Sequence, residues 1–160
     1  MQGDQEILTA LNDILTSELT AINQYFIHHK MLENWHYGRL AKNKREESIE
    51  EMKHADEIIE RILFLDGLPN LQRLGSVRVG EEPIEMHKLD LELEREAVRR
   101  LNTAIALCLS KQDAGTRELL EELLEHLLVD EEESVEWLEA QLVIVKDIGR
   151  ERYLSEQLRS

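Results

Sequence analysis

Four long segments of the chain carry apolar residues at steps of three and four, the spacing that places side chains on one face of an α-helix. The segments run from about Asp4 to Trp35, Gly38 to Leu65, Pro83 to Ser110 and Thr116 to Ile148. A short segment after Gly149, ERYLSEQL, predicts a fifth helix. The chain has only two prolines and seven glycines in 160 residues, which is typical of a helical protein and not of a turn-rich sheet.

The connections between these segments predict how the helices are arranged. Two links, between helices one and two and between helices three and four, are short, which favours antiparallel hairpins. Thr116 is predicted to cap helix four. The link from Asp66 to Glu82 is long and begins with Gly67 and Pro69, which end a helix. We therefore predict an all-α fold: an up-down four-helix bundle with a long crossover between helices two and three, a short fifth helix, and one domain, 1–160.

Charge and composition exclude several classes of function. The formal net charge is −15 without a basic stripe or tail, so we expect no nucleic-acid binding. The chain has no run of 18 apolar residues, so we expect no membrane span. The first residues, MQGDQEILTA, lack the pattern of a signal peptide. Cys108 is the single cysteine, and we expect it to be a core thiol in a reducing, cytoplasmic compartment.

Four carboxylates stand at positions that the helical pattern turns toward the core, one on each long helix. These positions are Glu18 among Leu11, Ile14, Ile22 and Tyr25; Glu51 with His54 in the series Glu47, Glu51, His54, Ile58 and Leu65; Glu94 between Leu91 and Val98; and Glu131 between Leu127 and Leu138. A buried carboxylate without a partner is costly. A pair of metal ions would supply the common positive partner.

The order of these residues repeats along the chain. Helices one and three each contribute a lone Glu, helix two contributes Glu51-x-x-His54, and helix four contributes Glu131-x-x-Ser134. A Glu from each of two helices and a Glu-x-x-His from each of the other two form the ligand set of di-iron carboxylate bundles. Such a mixed oxygen and nitrogen set suits iron or manganese. Taken singly, one Glu-x-x-His among 34 acidic residues more often indicates an exposed pair than a metal site.

The second half of the repeat departs from the first in its spacing. Glu51 lies 33 residues after Glu18, whereas Glu131 lies 37 residues after Glu94. The segment LLEELLEHLL before Glu131 has the pattern of an added helical turn. Four residues advance a helix by about 6 Å and rotate it by about 40°, so the register of Glu131 is the least constrained of the four.

Several segments resemble the bacterioferritins, the haem-containing branch of the ferritin-like superfamily. The resemblance covers nearly the whole chain and is carried by MQGD at the start, SELTAINQYF, ESIEEMKHADEIIERILFLDGLPNLQ, DLELE and DEEESVEWLEAQL. It implies a bundle with a short fifth helix that assembles into a shell of twenty-four subunits. It also implies that two Fe²⁺ ions bind inside the bundle, that O₂ or peroxide oxidises them, and that ferric mineral is stored within the shell.

The resemblance also implies roles for particular residues. Those at the family's metal-ligand positions are Glu18, Glu51, His54, Glu94 and Glu131, and Ser134 stands where the family has its second His. Met52 stands at the position that ligates a b-type haem shared across a two-fold dimer. The family further implies a ferredoxin as electron donor. Tyr25 is either a residue beside the metals or a core aromatic.

Ser134 leaves the outcome at the second metal open. In one alternative, water fills the ligand position. In another, His126 or Asp130 becomes the ligand after a change of helix register. In the third, one metal binds weakly. We therefore keep two functions: an iron-storage ferroxidase with an altered di-iron centre, and a haem-binding structural or electron-transfer subunit. In the second function, this protein would co-assemble with another ferritin subunit that is catalytically active.

Overall fold

The computed structural model describes residues 3–111 and 114–159. These described residues form six α-helices: α1 Gln5–Asn34, α2 Gly38–Phe64, α3 Pro83–Lys111, α4 Ala114–Leu119, α5 Glu125–Ile148 and α6 Arg150–Ser155. A π-helical segment, Leu120–Leu124, joins α4 to α5 without a break, so these three pieces form the fourth long helix. Since this part of the chain contains no strand, the predicted all-α class is confirmed.

The helix ends follow local chemistry. The Asp4 side chain caps α1 by accepting hydrogen bonds from the backbone N–H groups of Glu6 (2.8 Å) and Ile7 (3.3 Å). His36, with φ of 68°, lies in the left-handed region and allows the tight turn into α2. Gly149, with φ of 87°, separates α5 from α6.

Two details of the fourth helix differ from the prediction. Thr116 is not the N-cap, because the helix begins at Ala114 and Thr116 is buried within it. The π-helical segment was not predicted, because its leucine-rich sequence has ordinary α-helical spacing. Residues 112–113, which form the predicted short link after α3, lie outside the described residues.

The bundle is held by contacts of α1 with α2 and α3 and of α3 with α5. The crossover runs alongside α1, whose polar side chains bond it at intervals of four residues or multiples of four. The bonds join Asn12 to Leu68 and Asn70, Thr20 to Gly75, Gln24 to Arg78, and His28 to Gly80. The predicted up-down bundle with its long crossover and short last helix is thereby confirmed.

The two larger apolar clusters of the described residues lie at different levels along the bundle. One is built around Leu11, Leu101 and Leu124, and the other around Leu32 and Tyr153. Cys108 belongs to the apolar cluster around Leu11, as predicted. The segments of the long helices between these clusters carry the buried polar side chains, so the polar groups form a layer across the middle of the bundle. Among the described residues, no helix is both long and apolar enough to cross a membrane.

Candidate metal centre

The polar layer brings together four side chains from three helices. Ligand atoms of Glu18, Glu51, His54 and Glu131 lie within 4.8 Å of one another, and all four side chains are buried. The i, i+3 spacing on α2 places Glu51 and His54 on the same face of that helix. We call this set the first cluster.

His54 lies at the middle of the first cluster and faces carboxylates on both sides of its ring. Its Nδ1 is 3.0 Å from Glu131 Oε1, 3.6 Å from Glu18 Oε2 and 3.8 Å from Glu51 Oε1. Its Nε2 is 3.0 Å from Asp130 Oδ2. The imidazole is therefore oriented by hydrogen bonds through both nitrogens.

A second set of carboxylates lies beside the first. Ligand atoms of Glu47, Glu51 and Glu94 lie within 4.8 Å of one another. Glu51 belongs to both sets, as expected of a carboxylate that bridges two cations. Tyr25 is fully enclosed, and its hydroxyl donates a hydrogen bond to Glu94 Oε1 at 2.7 Å. We call Glu47, Glu51 and Glu94 the second cluster.

Several oxygens of this layer are buried without a hydrogen-bond partner. They are both carboxyl oxygens of Glu18, Oε2 of Glu94 and Oε2 of Glu131. A buried carboxylate oxygen left unpaired is costly, and native interiors contain few such atoms. Divalent cations would provide the missing partners, so the donor set fits a metal centre.

The protonation of the layer reflects the same crowding of negative charge. Burial, together with the nearby Glu131 carboxylate, raises the pKa of Glu18 to about 8. The same two causes raise the pKa of Glu94 well above its usual range. Burial opposes a charge on His54, but the hydrogen bond to Glu131 and the nearby Glu18 carboxylate outweigh it and raise the pKa of His54 to about 11. Without metal, protons therefore compensate part of the carboxylate charge.

The structure shows where Ser134 and its two predicted substitutes lie. The Ser134 hydroxyl donates a hydrogen bond to Glu47 Oε2 at 3.1 Å. His126 does not reach the first cluster; its exposed ring lies 3.7 Å from Asp130 instead, so His126 is not brought to the centre. Asp130 contacts His54 Nε2 at 3.0 Å, and its carboxylate forms a further group of candidate ligand atoms with His54 and Glu50.

The added residues before α5 do not turn Glu131 away from the core. Glu131 is fully buried among the other candidate ligands. The π-helical segment Leu120–Leu124 precedes it and keeps Leu120, Leu123 and Leu124 in the core. A π-helical turn closes i to i+5 and so accommodates an extra residue without interrupting the helix. The helix is therefore wound differently over this segment, and Glu131 beyond it is directed inward.

A surface pocket of about 280 Å³ leads to the centre between α2 and α5. Its lining residues are Asn43, Glu47, Glu50, His54, Asp130, Glu133, Ser134 and Trp137. Acidic side chains dominate the lining, which would attract cations. Because a serine is smaller than an imidazole, position 134 contributes to the opening.

A buried ion pair adjoins the centre, and sequence reasoning missed it. Lys44 Nζ lies 2.8 Å from Asp90 Oδ2 and 3.0 Å from His87 Nδ1, and all three side chains are fully enclosed. His87 Nε2 lies 2.9 Å from the Tyr153 hydroxyl. Helical spacing could have indicated it: Asp90 lies one turn before the inward Glu94, and Lys44 lies one turn after the buried Leu40, so both fall on inner faces.

Two hydrogen bonds determine the tautomers of the histidines in this network. Gly80 N–H donates to His28 Nε2 at 2.9 Å, so Nδ1 of His28 carries the proton that faces Asp90. The Lys44 ammonium donates to His87 Nδ1, so His87 Nε2 carries the proton that faces Tyr153. Burial opposes a negative charge on Asp90, yet Lys44 and His28 lower its pKa to about 2.

Met52 lies outside this layer. Its side chain is 57% exposed on α2, next to the buried Glu51. The same helix therefore presents candidate metal ligands inward and a thioether outward.

Comparison with known families agrees with this architecture. The ferritin-like domain family matches residues 8–148, which include every residue of both clusters. A helical bundle with this carboxylate and histidine layer is therefore a ferritin-like protein.

Individual relatives define the branch of the superfamily. Bacterioferritin of Mycobacterium leprae is 50% identical over 153 residues, covering 96% of this chain and 94% of the relative. Bacterioferritin of Streptomyces coelicolor is 46% identical over 155 residues, covering 97% and 90%. Bacterioferritin of Brucella melitensis is 42% identical over 153 residues, covering 96% and 92%. The chain belongs to the bacterioferritin family, as the sequence resemblance predicted.

Proposed function

We propose that this protein stores iron and oxidises Fe²⁺ at a two-metal centre inside each bundle. Membership of the bacterioferritin family supports iron storage and, more generally, ferroxidase activity. The observation that carries the assignment to this layer is the set of buried carboxyl oxygens without partners around His54. In this proposal Glu18, Glu51, His54, Glu94 and Glu131 are the iron ligands.

The ligands also have to exchange protons for metal. At neutral pH His54 is a protonated imidazolium, and the carboxyl groups of Glu18 and Glu94 hold their protons more tightly than an exposed carboxyl does. Binding of Fe²⁺ to these atoms displaces the protons toward solvent. The pocket lined by Glu50 and Asp130 gives those protons, and the entering cation, a short path.

The redox step needs an external oxidant. Each Fe²⁺ gives up one electron, so two Fe²⁺ reduce one peroxide, with two protons, to two waters, or reduce one O₂, with two protons, to peroxide. Tyr25 is positioned by its hydrogen bond to Glu94, one of the proposed iron ligands. We propose that it orients Glu94 during this step.

The assembly and the haem extend the proposal. Membership of the family supports self-assembly into a shell. We propose twenty-four copies of one domain, residues 1–160, in the cytoplasm, with a b-type haem held between two-fold partners by Met52. A thioether that ligates a haem between two subunits has to lie at the surface of each subunit, as the exposed Met52 does. A ferredoxin is the proposed electron donor for iron release.

A rate comparison tests the ferroxidase assignment. Glu18→Ala removes a buried ligand, whereas Glu60→Gln changes an exposed carboxylate on the same bundle. We expect Fe²⁺ oxidation at two Fe²⁺ per subunit to slow at least about tenfold in Glu18→Ala, a loss of about 1.4 kcal/mol of transition-state stabilisation. We expect no change in Glu60→Gln. Equal rates in all three proteins would show that the bundle layer is not the catalyst.

The second candidate is a haem-binding structural or electron-transfer subunit that co-assembles with an active ferritin subunit. It is favoured by the absence of a second imidazole at Ser134. Ser134→His separates the two functions. We expect faster Fe²⁺ oxidation in Ser134→His than in the natural protein, and both faster than Glu18→Ala. A natural protein no faster than Glu18→Ala, with Ser134→His fast, would instead support the haem-binding subunit.

A further inference from the structure

We propose that Glu47 is the ligand that completes the second metal position, in place of the histidine that position 134 lacks. This inference rests on the proposed function, because it divides the two-metal centre into two chemically different positions. Its starting observation is the second cluster, in which oxygens of Glu47, Glu51 and Glu94 lie within 4.8 Å of one another. Glu47 lies one helical turn before Glu51 and on the same face of α2.

Ser134 is a positioning residue in this arrangement. Its hydroxyl donates to Glu47 Oε2 at 3.1 Å, which ties α5 to α2 at the second cluster. A carboxylate has about four lone-pair directions on two oxygens. Glu47 can therefore accept this hydrogen bond and still present an oxygen to a cation. A histidine at position 134 could not donate from the nitrogen that binds a metal, so serine and Glu47 act as a pair.

Glu94 gives independent support for a cation at this place. The Glu94 carboxyl is 1% exposed, and its two oxygens have different surroundings. Oε1 accepts the hydrogen bond of Tyr25, whereas Oε2 is buried without a hydrogen-bond partner. A buried carboxylate oxygen without a partner is costly, and a cation bound beside Glu47 and Glu51 would supply one. Glu94 therefore supports a cation position at the second cluster.

The two positions then differ in their donor atoms. The first cluster offers one imidazole nitrogen from His54 with carboxylates from Glu18 and Glu131, while the second offers only oxygens. Imidazole favours Zn²⁺ and Fe²⁺, whereas carboxylates alone suit harder cations such as Mn²⁺. We therefore expect two binding steps of unequal affinity in one subunit, with Zn²⁺ separating the steps more widely than Mn²⁺ does.

Metal titration of the assembled, metal-free protein tests this assignment without any turnover. Zn²⁺ and Mn²⁺ are added separately, and the ions bound per subunit are counted by calorimetry and by elemental analysis after dialysis. We expect two ions in the natural protein. In Glu47→Gln the second step weakens at least about tenfold, or 1.4 kcal/mol, while the first is unchanged. The matched control, Glu46→Gln, removes a neighbouring exposed carboxylate and retains both steps.

Substitutions at position 134 test the pairing. Ser134→Ala removes the hydrogen bond and is expected to weaken only the second step, by less than Glu47→Gln does. Ser134→His combined with Glu47→Gln restores an imidazole, so this double variant is expected to recover the second step. Circular dichroism of every variant checks that the bundle is folded, and the double variant answers the question if Glu47→Gln alone folds poorly.

The outcomes distinguish failure of the Glu47 assignment from failure of the proposed function. Two unchanged steps in Glu47→Gln would overturn the role of Glu47 and leave the two-metal centre intact. Loss of both steps together in folded Glu47→Gln would overturn the division into two positions. A natural protein that binds neither ion in the bundle, with Glu18→Gln identical to it, would overturn the proposed function itself.

Discussion

Replacing Lys44 by Met should destabilise the bundle strongly, although both side chains have similar length. The Lys44 ammonium lies 2.8 Å from the Asp90 carboxylate, and both groups are fully buried. The substitution leaves Asp90 with its hydrogen bonds from Gln24 and His28 but without its cation. Removing one partner of a buried pair typically costs about 3–5 kcal/mol, because the remaining charge is uncompensated.

The loss is measurable as a change in melting temperature. For a chain of this size, 1 kcal/mol corresponds to about 3 °C, so Lys44→Met should melt about 9–15 °C below the natural protein. Melting is followed by circular dichroism on metal-free protein at one fixed concentration, because both metal and assembly shift the transition. The double variant Lys44→Met with Asp90→Asn removes both charges and should recover most of the loss.

The same pair predicts how stability depends on pH. The folded-state pKa of Asp90 is lowered from 3.8 to about 2, so its contribution is present above the unfolded value and is lost as pH falls through about 2. The difference corresponds to about 2 kcal/mol. Lys44, His28 and Gln24 face the carboxylate. In Lys44→Met this acid-induced loss should shrink. A Lys44→Met protein within about 1 kcal/mol of the natural protein at pH 7 would refute the reasoning.

Three further predictions follow from the same layer and its neighbours. Tyr25→Phe removes the donor to Glu94 Oε1 and should lower the unfolding free energy of metal-free protein by about 1–3 kcal/mol; an unchanged value in denaturant titration would show that the bond contributes nothing. Leu124→Ala in the π-helical segment should cost about 2–5 kcal/mol in the same titration, whereas Val129→Ala, at a side chain 55% exposed, should stay within about 0.5 kcal/mol; equal losses would contradict the packing. Zn²⁺ at a hundred times its dissociation constant should raise the unfolding free energy by about 2.7 kcal/mol, an increase that a chelator reverses and that Glu18→Ala lacks; stabilisation of Glu18→Ala to the same extent would place the ion elsewhere.

The burial of the candidate ligands could be predicted from local sequence. Glu18, Glu51, His54, Glu94 and Glu131 each interrupt an apolar stripe, and the structure buries all five. A side chain's face on a helix depends on its position within a period of 3.6 residues, so burial could be predicted before the helices were packed. Their role as iron ligands remains a prediction.

Other features depended on contacts between distant parts of the chain. The partner of Ser134 is Glu47, 87 residues earlier, and neither spacing nor motif connects them. Lys44 resembles a surface residue in the sequence, yet Asp90, 46 positions later, holds it in the interior. Such pairs form only after hairpins dock, so their energy cannot be read from one helix.

What the sequence determined by itself was the class of fold, the four long helices, the crossover and the inward direction of the acidic residues. All of these follow from periodicity and helix-ending residues, which act over a few positions. The tertiary structure alone decided that a π-helical segment precedes the buried Glu131, that His126 stays outside, and that Glu47 joins the second cluster. The physical reason is that each depends on which oxygens and nitrogens meet across the bundle, where desolvation makes every unpaired charge costly.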